Sequence, residues 1–481
     1  MQTAFCAISK SLAATLDLSF QRSVQDTAAL GHEDPVAPIL IALVLIGMGA
    51  VIGGRLMRKF GQPAVLGELL IGMVVANLAY QFHEPVITVL REGETIGKVL
   101  YFAISNNISV TQAAQKLLPD NEHTRLLVQI LIGPAGSTAL AIHQFVDLLS
   151  RLAVIILLFL VGLETSVSEM KKVGWTAFWV ASVGVIAPFL LGLAVIEILI
   201  PDAPLAKGIF IGAIFTATSV GITARVFRDL KQTHRTEAKI ILGAAVIDDV
   251  MGLIILAVVS GLVVTGTISL LSASMSTLKA TAFLAGSIAF GVWIAPRLVK
   301  RVARLEIENS KLLFGIGVAF LFSWLANFVG LAPIVGAFAA GLVLEEFFLQ
   351  EFKGHSLRDL LSALESLIVP VFFMLMGMQV KLETFGDLKV VFLAAVLTLA
   401  AILGKLVSGL ACSRGVDRLS VGVGMMPRGE VGLIFASIGK GLGVVSDEVF
   451  SAVVIMVMVT TLLAPPLLKI TLARSAARTS V

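Results

Sequence analysis

The sequence predicts an all-α polytopic membrane protein of about thirteen transmembrane helices, and three observations carry that prediction. First, 57 % of the 481 residues are hydrophobic and only 14 % are charged, with a mean hydropathy of +0.97. A soluble domain does not use so apolar a composition, whereas a bundle of helices in lipid does. Second, apolar runs of membrane-crossing length recur along the chain, most of them joined by short polar links. Third, the run Lys239 to Val264 carries two adjacent carboxylates, Asp248 and Asp249, near its middle, where a charge is most costly and needs a partner, a water-filled cavity or an ion path. The net charge of +4 is scattered between apolar runs and does not make a nucleic-acid surface. Two cysteines, Cys6 and Cys412, and six dispersed histidines supply no disulfide framework and no metal-ligand set.

Taken in order, residues 1–34 form a mixed amino-terminal segment without the cationic start and small-residue cleavage site of a leader, so none is expected. The membrane domain is assigned to 35–468 and a short cytoplasmic tail to 469–481. Its first span, Val36 to Gly54, is closed by Arg55, Arg58 and Lys59; the second runs to about Tyr80 and holds Glu68 near its start, as a helix-end or vestibule acid. Residues 81–149 form an unusual extracytoplasmic insertion. Within it, Leu126 to Ile142 is interrupted by Gly133, Pro134 and Gly136 and reads as an interfacial or re-entrant segment. Asn107-Ile108-Ser109 matches the glycosylation signature as a three-residue coincidence. Glu164 and Glu169 read as solvated acids of a loop or helix end. Further spans are expected at about 150–163, 174–200, 206–227, 240–265, 281–296, 312–329, 331–344, 363–380, 389–411, 419–438 and 449–468.

An odd number of spans puts the termini on opposite sides. Lys and Arg crowd alternate links: Arg55 to Lys59, Lys171 and Lys172, Arg225 to Lys239, Arg297 to Lys311, Lys353 and Arg358, Arg414 and Arg418, and the tail. The positive-inside rule therefore predicts an outside amino terminus and a cytoplasmic carboxyl terminus in a cell membrane.

Three spans are unusual. Ile209 to Phe227 contains Thr216-Ala217-Thr218-Ser219, followed by Gly221 and Thr223. Hydroxyls beside glycine serve either as packing glue between helices or, at an opened helix, as hard-cation ligands together with bare carbonyls. Val421 to Ile438 is interrupted by Met426-Pro427-Arg428-Gly429-Glu430; an interruption of this kind must face protein or water, and Arg428 and Glu430 are expected to brace it as an ion pair. Lys405 lies deep in 389–411, either snorkelling to the helix end or facing one of the paired acids, which need a cation.

These stretches resemble the monovalent cation:proton antiporters, specifically the cation:proton antiporter-2 group. The resemblance runs from Asp34 to about Lys469 through GQPAVLGELLIGMVVAN, LLFLVGLE, FTATSVGITARV, GAAVIDDVMGLIIL, GLAPIVGAFAAG, VPVFFMLMGM, GKLVSG, PRGEVGLIF and TTLLAPPLL, in the family's order. It implies inverted repeats, two crossed interrupted helices at Thr216 to Ser219 and around Pro427 to Glu430, a homodimer built on scaffold helices, and a six-helix core that moves as a unit. It also implies that Asp249 takes either the cation or a proton, that Asp248 pairs with a lysine, and that this lysine is Lys405. Relatives with two acids and this lysine are generally voltage-generating sodium:proton exchangers. The long nucleotide-binding tail and altered first acid of the potassium efflux members are missing here, and the insertion from about Gln81 to Asp147 is longer than the family's usual connection.

The expected partners are Na+, with Li+ and K+ as alternatives, H+ and the lipid bilayer, without nucleic acid or a soluble cofactor. The protein is not expected to be an enzyme. The transient metal contact is Na+ at Asp249, assisted by Thr218, Ser219 or backbone carbonyls. A cation channel, a sodium-coupled symporter and a membrane scaffold are the rival readings, separable by vesicle flux of Na+ against an imposed pH gradient.

Overall fold

A computed structural model describes residues 36–118, 122–164, 174–219, 223, 227, 232, 235–265, 270–294, 297–298, 301, 310–351, 357–413 and 415–479. The amino-terminal segment, Glu169 with Lys171 and Lys172, Gly221, the basic run 228–231 and the side chains of Glu164 and Glu430 lie outside the described residues.

All regular structure among them is helical. In chain order the helices are α1 (Ala37–Lys59), α2 (Ala64–Gln81), α3 (Pro85–Arg91), α4 (Gly93–Asn106), α5 (Val110–Leu117) and α6 (Glu122–Ile132). They continue with α7 (Gly136–Glu164), α8 (Trp175–Leu199), α9 (Leu205–Thr216), α10 (Thr236–Thr265), α11 (Leu270–Trp293) and α12 (Ser310–Phe328). The last six are α13 (Pro333–Glu351), α14 (Leu357–Met378), α15 (Leu388–Ser408), α16 (Arg418–Gly424), α17 (Glu430–Gly441) and α18 (Asp447–Thr479). Among the described residues eight helices are long and apolar enough to cross a bilayer: α1, α2, α7, α8, α10, α14, α15 and α18. With no water in hydrocarbon, such a helix bonds its own backbone, save where Pro188 in α8, Pro370 in α14 and Pro465 and Pro466 in α18 withhold a donor.

The helices pack as two halves. In the first, α2 lies on α1 and α14, α7 on α13 and α14, and α12 on α13. In the second, α8 contacts α9, α10 and α15, while α18 lies against α15, α16 and α17. Helix α11 touches both, through α10 and α13. Without a hydrophobic drive inside lipid, close backbone approach holds such helices together. The α1–α2 hairpin shows it: a Cβ added at Gly67 would meet the Gly53 carbonyl oxygen at 1.9 Å, so only glycine fits there.

The insertion folds into four short helices, α3 to α6, with small apolar clusters of their own. Val89, Ile96, Leu127, Ile130 and Ala139 form one, and Val99, Ala103, Ala113 and Ala114 the other. Asn107 ends α4 in a left-handed conformation, and Ser109 caps α5 by accepting from Gln112 N at 3.2 Å. The glycosylation-like triplet is thus the joint between two helices.

Two expectations need correction here. Leu126 to Ile142 is not one interfacial segment: α6 ends at Ile132, and a continuous helix starts at Gly136. The span expected at about 150–163 is therefore the second part of α7. In its polar first part Asp147 and Arg151 pair along the helix at 2.8 Å, and the His143 ring packs on Gly93. Glu68 is also not a vestibule acid, since it is 8 % exposed and faces Gly54 of α1.

Candidate ion site

The site begins where α9 stops. Thr216 is its last helical residue, and Ala217 turns to extended backbone at φ −56° and ψ 134°. Thr216 was expected in the non-helical stretch; 217–219 alone are non-helical, and the Thr216 hydroxyl bonds back to the Ala213 carbonyl at 2.8 Å. A helix that ends this way leaves carbonyls of its last turn without intrahelical partners, and a partial negative charge with them.

Two buried cations meet those carbonyls. Lys405 Nζ donates to the Thr216 carbonyl at 2.5 Å. The Arg428 guanidinium donates to the carbonyls of Phe215, Ala217 (3.3 Å) and, across on α15, Ala401 (3.2 Å). Arg428 was expected to form an ion pair at the break. The side chain of its expected partner Glu430 lies outside the described residues; among those described, the hydrogen-bond acceptors of Arg428 are three carbonyls, which the rigid guanidinium fork reaches together.

The second break spans 425–429, between α16 and α17. Pro427 has no N–H to give, and its carbonyl accepts from Ser219 N at 2.9 Å. Thr223 Oγ1 donates to the Gly424 carbonyl at 2.8 Å, and the Thr218 hydroxyl stands between the Met425 carbonyl, at 3.4 Å, and the Asp248 carboxylate. The two breaks therefore cross side by side and exchange hydrogen bonds. Thr461 of α18 fixes the second by donating to the Arg428 carbonyl. In sequence Thr461 shows only as one of a hydroxyl pair, Thr460-Thr461, at the start of TTLLAPPLL in the middle of an apolar helix.

Helix α10 brings the acids. A Cβ placed on Gly252 would lie 3.5 Å from Thr216 Oγ1, so α10 runs directly past the end of α9. Asp248 receives Lys405 Nζ at 3.1 and 3.3 Å on its two oxygens. Lys405 reaches this point because Gly404 lets α15 close on Pro188 of α8, where a Cβ would meet the proline Cα at 2.8 Å. Asp249 is 7 % exposed, and Thr216, Thr218, Ser219, Asp248, Lys405 and Arg428 are all buried at 2 % or less. The arrangement thus gathers two carboxylates, one ammonium, one guanidinium, hydroxyls and helix-end carbonyls in a buried interior, oxygen and charge of the kind suited to a small dehydrated cation and to protons.

Residues 41–474 match the transmembrane sodium/hydrogen exchanger family. The chain belongs to that family. This exchanger is 36 % identical over 460 residues to the high-affinity Na+/H+ antiporter NhaS3 of Synechocystis sp., covering 92 % of each chain. It is 33 % identical over 352 residues to the Na+/H+-K+ antiporter GerN of Bacillus cereus, covering 72 % of this chain and 88 % of that one. Its fold is similar to that of the sodium proton antiporter MjNhaP1 of Methanocaldococcus jannaschii, with a TM-score of 0.56 at 17 % identity over 90 % of this chain and 96 % of that one.

Proposed function

We propose that Na+ and H+ compete for Asp249 in this exchanger, with Lys405 as the second proton carrier. The protein is a secondary active Na+/H+ antiporter working by alternating access and not an enzyme. The observation that carries the finer reading is the position of Lys405, held between the Asp248 carboxylate and the Thr216 carbonyl at the broken helix. In the proton-loaded state Asp249 is neutral and Asp248 is balanced by Lys405. When Na+ enters, Asp249 loses its proton, Asp248 is drawn to the metal, and a buried ammonium without its partner gives up a proton. Two protons leave as one Na+ arrives, so the cycle moves net charge.

Na+ is favoured as the cation by the paired acids, and the Na+/H+-K+ relative GerN is the reason to test K+ and Li+ beside it. We read thirteen crossings: the eight long helices, α11, α12, α13, and two interrupted spans, one entered by α9 and the other made of α16 and α17. Inverted repeats, a homodimer, an outside amino terminus and a cytoplasmic tail complete the proposal, together with the division into 1–34, 35–468 and 469–481. Exposed Trp175, Trp293 and Trp324 are the interfacial anchors that such a bundle needs. The deciding experiment is Na+-driven proton flux in sealed vesicles under an imposed pH gradient, repeated with K+ and Li+. Cation flux without proton coupling would make the protein a channel and refute the proposal.

A further inference from the structure

At one end of the bundle a set of ion pairs joins the two halves of the exchanger, away from the acid pair. Lys381, in the linker after α14, donates to Glu92 Oε2 and to Asp447 Oδ2, each at 2.7 Å. Asp447 begins α18 and meets Lys440 of α17 at 2.9 Å through its other oxygen. Beside them Arg91 pairs with Glu383 and lies over the Tyr80 ring, 4.0 Å from its centroid. The side chains of Arg91 and Glu92 are buried, that of Lys381 is 12 % exposed and that of Asp447 29 %.

These residues belong to different halves. Glu92 follows α3, which packs on α7, and Lys381 follows α14, which packs on α2 and α7. Lys440 and Asp447 belong to α17 and α18, in the half that holds Asp248 and Lys405. The first half meets the start of α18 through Lys381, whose backbone N–H also donates to Ser451 Oγ at 3.3 Å, and through the 3-10 turn Leu382–Gly386.

The way the charges are shared makes this seam easy to part. Breaking a buried ion pair is costly chiefly because a charge is left behind without compensation. Here Lys381 would keep Glu92, while Asp447 would keep Lys440, itself over the Phe450 ring at 4.6 Å. Neither half is left with an orphan, and water already reaches Asp447. Antiport by alternating access requires some contact between the halves to open and re-form in every cycle.

We propose that Lys381 and Asp447 form a reversible clasp between the two halves, and that its opening is a step in moving the ion site from one side to the other. This rests on the antiport reading above. Two changes break the seam differently: Asp447→Asn, and the double change Glu92→Gln with Lys381→Gln, which removes the first half's pair whole and leaves neither of its members as an unpaired charge. Lys381→Arg is the conservative control. Hydrogen exchange of amides 444–452 is followed in the purified protein, and Na+-dependent proton flux is followed in vesicles. Both disrupting variants are expected to speed amide exchange about tenfold and to change the maximal flux at least about threefold, with half-saturation for Na+ held within about twofold. Lys381→Arg should match the unsubstituted protein in both. Unchanged amide protection in both disrupting variants would overturn the clasp, and faster exchange with an unaltered maximal flux would overturn its part in transport. An unsubstituted protein without Na+-dependent flux would overturn the antiport reading instead, while amide exchange would still decide whether the halves are clasped.

Discussion

Lys405 and Asp248 face each other at 3.1 Å with neither side chain reaching solvent. The same ammonium holds the Thr216 carbonyl, so one cation ties the acid helix α10 to the broken end of α9.

Exchange is therefore expected to carry net charge, and Lys405 to be the reason. The reversal potential of Na+ flux in sealed vesicles should correspond to two protons per Na+ in the unsubstituted protein. In Lys405→Gln it should fall to one, because only Asp249 is left to exchange. Identical ratios in the two proteins would assign the second proton elsewhere.

Asp249→Asn is expected to abolish Na+-dependent proton movement while the protein stays folded. The amide preserves the shape of the side chain but cannot alternate between proton and cation. Flux near the unsubstituted rate, with a normal melting transition, would remove Asp249 from the site.

Arg428→Gln is expected to fail in stability before it fails in transport. Three carbonyls, on Phe215, Ala217 and Ala401, would lose a charged donor inside the bundle. The loss should amount to about 3 kcal/mol, read as a lower unfolding midpoint in detergent. Asp249→Asn, measured beside it, should hold its midpoint.

Gly67→Ala should loosen the α1–α2 hairpin. The new methyl would be driven to 1.9 Å from the Gly53 carbonyl oxygen, so the helices must part, at a cost of about 1–3 kcal/mol. Thermal unfolding in detergent measures it, and Gly47→Ala, where a Cβ would meet nothing within 4 Å, is the control.

Cysteine labelling tests the orientation. A single cysteine at Ser475, in a background lacking Cys6 and Cys412, should react with an impermeant maleimide only from the cytoplasmic side. Even if Cys412 is retained it should label slowly at neutral pH, since burial pushes its thiol up to about 11 and keeps it protonated.

Much of the site was legible because lipid makes polar residues conspicuous. Asp248, Asp249 and Lys405 stand out in apolar runs, and Pro427 announces an interruption by its missing N–H. What stayed hidden depends on neighbours. The guanidinium of Arg428 has carbonyl partners on α9 and α15, and no sequence pattern names a carbonyl as a partner. The start of α7 was obscured because Gly133, Pro134 and Gly136 read as a break through a longer segment, although they only separate α6 from α7. His143, Asp147 and Arg151 made the following turns look too polar, yet they lie where α7 meets the insertion or pair along the helix. The clasp was invisible because Glu92, Lys381 and Asp447 each fall outside the apolar runs, in links or at a helix start, where charge is ordinary.

The capping of α9 by Arg428 also sets an order of assembly. Phe215 and the guanidinium that holds its carbonyl are 213 residues apart in the chain. At roughly 5–20 residues per second, the ribosome needs roughly 10–40 s to deliver one to the other. Throughout that interval α9 has emerged with its last carbonyls still lacking this donor, and in hydrocarbon they cannot wait alone. Until the segment that carries Arg428 follows, the Phe215 carbonyl depends on another donor, water included.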